Sequence, residues 1–173
     1  MSDACIEALL KRRSVRVFKD AEVPLDMILK AIEVSRYAPS AGNKQPWRFV
    51  IIRESEKLKD LAKILRYSRP LMNAKVAVMV LANKDESPTS YMVDASLAAM
   101  YFWLAIHCIG LGAVWIQTLR NINELLEFVN APQNYVPIAL FAIGWPAEQP
   151  EPKDRKPLSE ITYLERYGES VKF

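Results

Sequence analysis

Ala38 to Trp47 reads APSAGNKQPW, and its last residue opens WRFVII, Trp47 to Ile52. The aromatic and β-branched content of that run predicts a strand. Upstream, Leu25, Ile28, Leu29, Ile32 and Val34 recur at helical spacing behind Pro24, which suits the first turn of a helix running to about Tyr37. Pro39 ends it, because the residue before a proline resists helical geometry. The unit is therefore helix, stiff polar loop, strand. Within the loop, Gly42 lets a backbone come close to a flat ligand, and Ser40, Asn43 and Gln45 carry donors and acceptors. Pro39 and Pro46 stiffen it, which preorganises whatever it binds. An ordinary helix-to-strand turn is the plainer alternative, but such turns are usually shorter and less polar.

The alternation continues in both directions. Ser2 can cap a helix over Asp3 to Lys11, with Asp3 and Glu7 near its positive end. Ser55 to Tyr67 predicts an amphipathic helix, and Lys75 to Ala82, KVAVMVLA, a central strand. Ser90 to Ile109 predicts a long apolar helix, Gly112 to Ile116 a strand, Asn123 to Asn130 a helix, and Pro137 to Trp145, PIALFAIGW, the last strand. The chain then turns polar in PAEQPEPKDRKP, read as an ordered arm, with a short extension to Phe173. No repeat or linker divides it, so residues 1–173 are expected to form one domain, a sheet with helices on its faces.

Composition narrows the chemistry. The 173 residues include one His, two Cys and five Gly, and the net charge is +3. A zinc site built from Cys and His clusters cannot be assembled. Cys5 and Cys108 could form one bridge at most, which is no disulfide framework. Nucleophilic catalysis with a histidine base would have to run through His107. An enzyme of this composition is expected to borrow a cofactor. The N-terminus, MSDACIEALLKRR, has no apolar signal core, so the cytoplasm is the expected compartment. Tyr91 to Leu111 is nearly long enough to cross a bilayer, but Asp94, Ser96 and His107 interrupt it. It reads as a helix buried on most sides, in part against a second subunit.

Four further motifs carry candidate residues. Arg12, Arg13, Ser14 and Arg16, in RRSVR, combine guanidinium forks with a hydroxyl, a set suited to a phosphate, although a solvated basic segment is the plainer reading. In GLGAVW, Gly110 can end the long helix in a left-handed cap, and Gly112 lets the next strand start against something close. Lys153 and Arg155, in KDRK, could complete an anion site or form a surface cluster. His107, and the aromatic set Tyr101, Phe102 and Trp103, read as core or interface rather than as a base or a stacking platform.

RRSVR, APSAGNKQPW, GLGAVW and PKDRKP, in this order and over nearly the whole chain, resemble the nitroreductase family of flavin mononucleotide (FMN) enzymes. The resemblance implies an α+β fold, an α-β-α sandwich whose mostly antiparallel central sheet is flanked by helices, in an intertwined homodimer with FMN at the interface. It assigns Arg12, Arg13, Ser14 and Arg16 to the phosphate and the pyrimidine end of the flavin, with Lys153 and Arg155 closing on the phosphate. It assigns Pro39, Ser40, Gly42, Asn43 and Gln45 to the isoalloxazine, contributed by the partner subunit. Val114 and Trp115 would pass behind the ring, and Asn73 would add a polar contact. The implied activity is ping-pong hydride transfer from NAD(P)H through flavin N5 to a nitroaromatic or quinone-type acceptor, with no protein acid or base required. Reductive dehalogenation, flavin fragmentation or dehydrogenation on the same fold stand as alternatives. A nucleic-acid-binding module using KRRSVR and KDRK is a third reading, but the small net charge and the aromatics' place in apolar runs speak against it. The expected partners are a second copy and a small-molecule acceptor, with no nucleic acid and no membrane.

Overall fold

The computed structural model describes residues 2–171, with side chains from Ala4 onward. The expected Ser2 cap and Asp3 charge, and the terminal Lys172 and Phe173, lie outside what is described. Helices α1 (Ser2–Lys11), α2 (Leu25–Ser35), α3 (Ser55–Ile64), α4 (Tyr91–Cys108), α5 (Ile122–Phe128) and α6 (Leu158–Ile161) alternate with strands β1 (Trp47–Ile52), β2 (Val76–Asn83), β3 (Gly112–Ile116) and β4 (Tyr135–Gly144). The strands form one sheet in the order β1-β2-β4-β3, and every neighbouring pair is antiparallel.

The central strands explain the layers. All of β2 is buried, and its alternate residues serve two cores. Val76, Val78, Val80 and Ala82 pack with Ile28 and Ala31 of α2 and with Ala98, Ala99 and Phe102 of α4. Ala77, Met79 and Leu81 pack with Leu58 and Leu61 of α3 and with Leu125 and Leu126 of α5. This is the period of two expected of a strand covered on both faces. Phe102 and Phe141 are fully buried with ring centroids 5.3 Å apart, and Trp115 meets Phe141 edge-on at the same distance. Each buried Phe contributes about 1.5–3 kcal/mol by area alone.

Several boundaries moved for physical reasons. Pro24 precedes α2 rather than opening it, and α2 stops at Ser35. The helix expected to reach Tyr67 stops at Ile64, because the Ser68 hydroxyl reaches back to the Ala62 and Leu65 carbonyls, both at 2.6 Å. The strand expected to start at Pro137 starts at Tyr135, and the β2–β4 register slips between Val80 and Leu81, where Pro137 replaces an ordinary ladder partner. A bulge is where a sheet tolerates proline. Helix α5 begins at Ile122 and ends at Phe128, short of Asn130.

Within the chain the long apolar helix is buried on one face. By length and composition α4 could cross a membrane. It instead lies against the sheet with Asp94, Ala95, Ala98, Ala99, Phe102, Ala105 and Ile106 buried. Its other face is left open by the described residues: Met92, Val93, Leu97 and Tyr101 are exposed. Its end follows the expected cap. Gly110 has φ 86°, its N–H donates to the His107 carbonyl, and Leu111 N–H donates to the Ile106 carbonyl. Those are the two bonds of a Schellman motif.

Candidate functional site

The basic segment is laid along one end of the sheet. Ser14 bridges Ala113 of β3 in parallel, and Val15 N–H donates to the Ala113 carbonyl at 3.0 Å. Phe18 bridges Pro146, just past β4. The two glycines that end these strands make room for it. A Cβ on Gly112 would lie 2.8 Å from Val15 Cγ1, and one on Gly144 would lie 2.8 Å from Phe18 Cβ. The close neighbour expected at Gly112 is therefore the RRSVR segment itself.

Arg12 is turned inward. Its guanidinium carbon sits 3.9 Å from the centroid of the Trp103 ring, so Trp103 is a stacking platform after all, for a protein cation. The indole N–H donates to the Ala113 carbonyl at 3.2 Å, which ties the platform to β3. Arg12 Nη1 is buried and has no hydrogen-bond partner among the described residues. Burial, then the charges of Arg13 and Arg155, hold the Arg12 guanidinium below its ordinary value. Buried donors are nearly always paired. An orphaned buried N–H among mutually repelling cations is where an anion from outside belongs. Arg155 thus joins Arg12 and Arg13, although its own Nη1 also reaches the Lys153 and Asp154 carbonyls; Lys153 is exposed.

Arg13 lines a cleft of about 680 Å³ with Lys11, Val15, Trp103, His107, Gly112, Ala113, Pro146 and residues 148–152. Its Nη1 donates to the Leu10 and Arg12 carbonyls. Arg16 is exposed, and its backbone is held by a residue sequence reading passed over. Glu148 Oε1 accepts the N–H of Arg16 at 2.6 Å and of Val17 at 3.1 Å.

His107 faces the same cleft. Burial, then Arg12 and Arg13, lower its pKa from 6.5. The unfolded chain therefore takes up this proton first as pH falls. Stability linked to His107 is complete above the unfolded value and is lost as pH falls through the lowered folded one. His107→Gln should flatten the decline of the thermal midpoint across that window; an unchanged profile refutes the assignment.

The polar loop is also preformed. Gly42, Asn43 and Gln45 have φ of 57°, 56° and 49°. Ser40 Oγ accepts Gln45 N–H at 3.0 Å, and Gln45 Nε2 donates to the Asn43 carbonyl and Oδ1, both at 3.1 Å. Several expected ligand contacts are thus first used to fix the loop. Asp94, at the start of α4, accepts the Ala41 N–H at 3.1 Å. Pro39, Gly42, Asn43 and Gln45 are exposed, and Ser40 is half-buried.

The predicted residues do not all converge within one protomer. No residue of the loop lines the 680 Å³ cleft. Asp94 holds the loop and Trp103 holds Arg12, and along α4 these anchors are roughly 14 Å apart. Asn73 lines a different cleft, with Phe18, Asp20, Glu22, Arg53 and Lys75. Val114 is buried in the α3/α5 core and Trp115 packs on Phe141, so β3 offers a ligand its backbone rather than these side chains. The Ala113 carbonyl, on the edge of β3 away from β4, is already taken by the Val15 N–H and the Trp103 indole N–H, and by alternation the Trp115 N–H and carbonyl face that same edge.

Residues 9–87 and 65–145 match the profile of the nitroreductase family. A protein of Archaeoglobus fulgidus named as an NADH dehydrogenase/NAD(P)H nitroreductase is 31% identical over 153 residues, 85% of this chain and 88% of the relative. An iodotyrosine deiodinase of Thermotoga neapolitana is 27% identical over 87% of this chain and 91% of its own length. A nitroreductase of Desulfovibrio desulfuricans, crystallised in complex with FMN, superposes with a TM-score of 0.85 at 29% identity, covering 94% of this chain and 96% of that one.

Proposed function

This chain belongs to the nitroreductase family, and from that membership we propose that it is an FMN-dependent oxidoreductase passing reducing equivalents from NAD(P)H to a nitroaromatic or quinone-type acceptor. The observation that carries the reading is the orphaned Arg12 Nη1, set beside Arg13 and Arg155. A phosphate monoester, with close to two negative charges, suits that set. Arg12, Arg13, Ser14, Lys153 and Arg155 would hold it. Arg16 would face the pyrimidine end of the flavin, its backbone fixed by Glu148. When bound, FMN supplies hydride transfer at its N5. The protein's part is to bind, orient and stabilise charge, and no histidine, metal or nucleophile is assigned a catalytic role.

Two copies would complete each site. No loop residue lines the cleft that Arg13 lines, and Asp94 and Trp103 hold the loop and Arg12 at separate points of α4, so the loop Pro39–Gln45 is assigned to the partner's cofactor. The apolar outer face of α4 supplies an interface. Tyr101, Leu104, Ala105 and Cys108 line a cleft of about 400 Å³ with Lys30, Val34 and Ile109. Exposed apolar patches of this kind mark association surfaces. Residues 1–173 then act as one unit per subunit. Cys5 and Cys108 are both free and exposed, which suits a reducing compartment such as the cytoplasm.

The purified protein should be yellow and release FMN on denaturation. Anaerobic NADH or NADPH should bleach it, and a nitroaromatic or quinone should restore the colour, with parallel-line kinetics. A colourless protein that takes up no FMN overturns the reading. The deiodinase relative supports a second reading, reductive dehalogenation at the same site. Its signature is failure of both nucleotides to bleach the flavin, with a halogenated aromatic consumed after chemical reduction.

A further inference from the structure

Asp94 is buried, at 3% exposure, in the most apolar helix of the chain. Burying a carboxylate is costly unless it is paired or hydrogen-bonded. Sheet packing does not require it, since its neighbours Ala95, Ala98 and Ala99 fill the same layer with methyl groups. Both its oxygens are used. Oδ1 accepts the backbone N–H of Ala41 at 3.1 Å, and Oδ2 accepts the hydroxyl of Ser87, itself buried, at 2.9 Å. The Ser87 carbonyl in turn accepts the N–H groups of Ser90 and Tyr91, so the clamp is fixed to the start of α4.

The clamped loop needs it. Asn43 and Gln45 both hold left-handed backbone conformations; asparagine adopts that region readily, but a glutamine such as Gln45 keeps it where the surroundings over-determine it. One constraint is internal, Ser40 Oγ accepting Gln45 N–H. The anchor to the rest of the protein at Ala41, the first residue of the loop's 3-10 turn, is Asp94.

We infer that Asp94 is the positioning residue that presets the loop Ser40–Gln45 for cofactor, acting through the Ala41 N–H. The inference rests on the assignment of that loop to FMN. Where the competent loop geometry is only a fraction of the population, apparent affinity falls by that fraction. A loop freed to a one-tenth population therefore costs about ten-fold in FMN retention.

The test uses the full chain as wild type, Asp94→Ala, Asp94→Asn and Ala41→Pro. Asp94→Asn keeps an acceptor for Ala41 and an amide that can donate to Ser87. Ala41→Pro deletes the same hydrogen bond from the loop side. Ser40 is already extended (φ −144°, ψ 154°), as a residue before proline should be. Two quantities are read: hydrogen exchange of the Ala41 amide without cofactor, and the FMN dissociation constant by flavin fluorescence titration. Asp94→Ala should speed the exchange and raise the dissociation constant, each by about ten-fold. Asp94→Asn should stay close to wild type in both, and Ala41→Pro should weaken FMN affinity as Asp94→Ala does.

Unchanged Ala41 exchange in Asp94→Ala overturns the clamp. Faster exchange with unchanged FMN affinity overturns its role toward the cofactor, and so does Asp94→Asn behaving like Asp94→Ala. Should Asp94→Ala fail to fold, Ala41→Pro decides: wild-type FMN affinity in that variant refutes the proposal. A wild-type protein that binds no FMN refutes the flavin reading and this inference's cofactor role together, while the exchange measurement still reports on the clamp.

Discussion

Replacing Arg12 by alanine is expected to weaken FMN retention by roughly 1.5–3 kcal/mol, a ten- to hundred-fold faster loss of flavin or more. The magnitude follows from removing a charge-assisted contact at a buried position. Arg12 Nη1 is shielded from solvent and meets no partner among the described residues, so water does not substitute freely for the anion. The folded chain without cofactor should lose little stability. The change removes a cation that Arg13 and Arg155 repel, along with its desolvation cost. Flavin affinity by fluorescence titration and the thermal midpoint of the cofactor-free protein should therefore move independently. Unchanged affinity would place the phosphate elsewhere. Trp103→Leu removes the surface on which the guanidinium lies at 3.9 Å and should give a smaller loss of the same kind, about 0.5–2 kcal/mol.

Gly112→Ala is expected to be as damaging by a steric route. The new Cβ would lie 2.8 Å from Val15 Cγ1 and 2.9 Å from Val15 Cβ. A rotamer change can move the first atom but not the second, so the backbone of the basic segment must shift. Overpacking of this kind costs about 1–3 kcal/mol of stability. The same shift displaces Ser14 from its bridge to Ala113 and moves Arg12 off its platform. Chemical denaturation should show the stability loss, and flavin titration a weakened affinity. A variant that folds and binds as the wild type does would show that the segment is not seated against β3.

Much of the fold was legible because its signals are local. The strand Trp47–Ile52 and the strand Gly112–Ile116 lie where their composition put them. The central strand, expected at Lys75–Ala82, runs Val76–Asn83 and is buried along its whole length. The errors arose where a tertiary contact outweighed a local rule. Ser68 stops α3 early, and a bulge lets β4 run through Pro137. The apolar composition of α4 points to burial on most sides, in part against a second subunit, but not to which face meets which neighbour. Only packing reveals that the sheet covers one face and leaves Val93, Leu97 and Tyr101 outside.

The candidate site divides in the same way. The residue types that suit a phosphate and a flat cofactor, RRSVR and the Pro-stiffened loop, stand in the sequence because chemistry requires those side chains and adjacency displays them. The residues that hold these motifs do not. Asp94 looked like an interruption of an apolar run, although a lone carboxylate in such a run is itself a signal of a buried partner. Glu148 sits in a polar arm where nothing marks it, yet it fastens the backbone of Arg16 and Val17. Trp103 is one aromatic among several until Arg12 is seen against it. By itself the sequence determined the α+β content, the order of its elements and the kinds of group it offers a ligand. Tertiary structure alone decided which carboxylate clamps which loop, which arginine nitrogen lacks a partner, and that the loop and the arginines lie at different stations along one helix. Those are distances between residues far apart in the chain, and no local pattern encodes them.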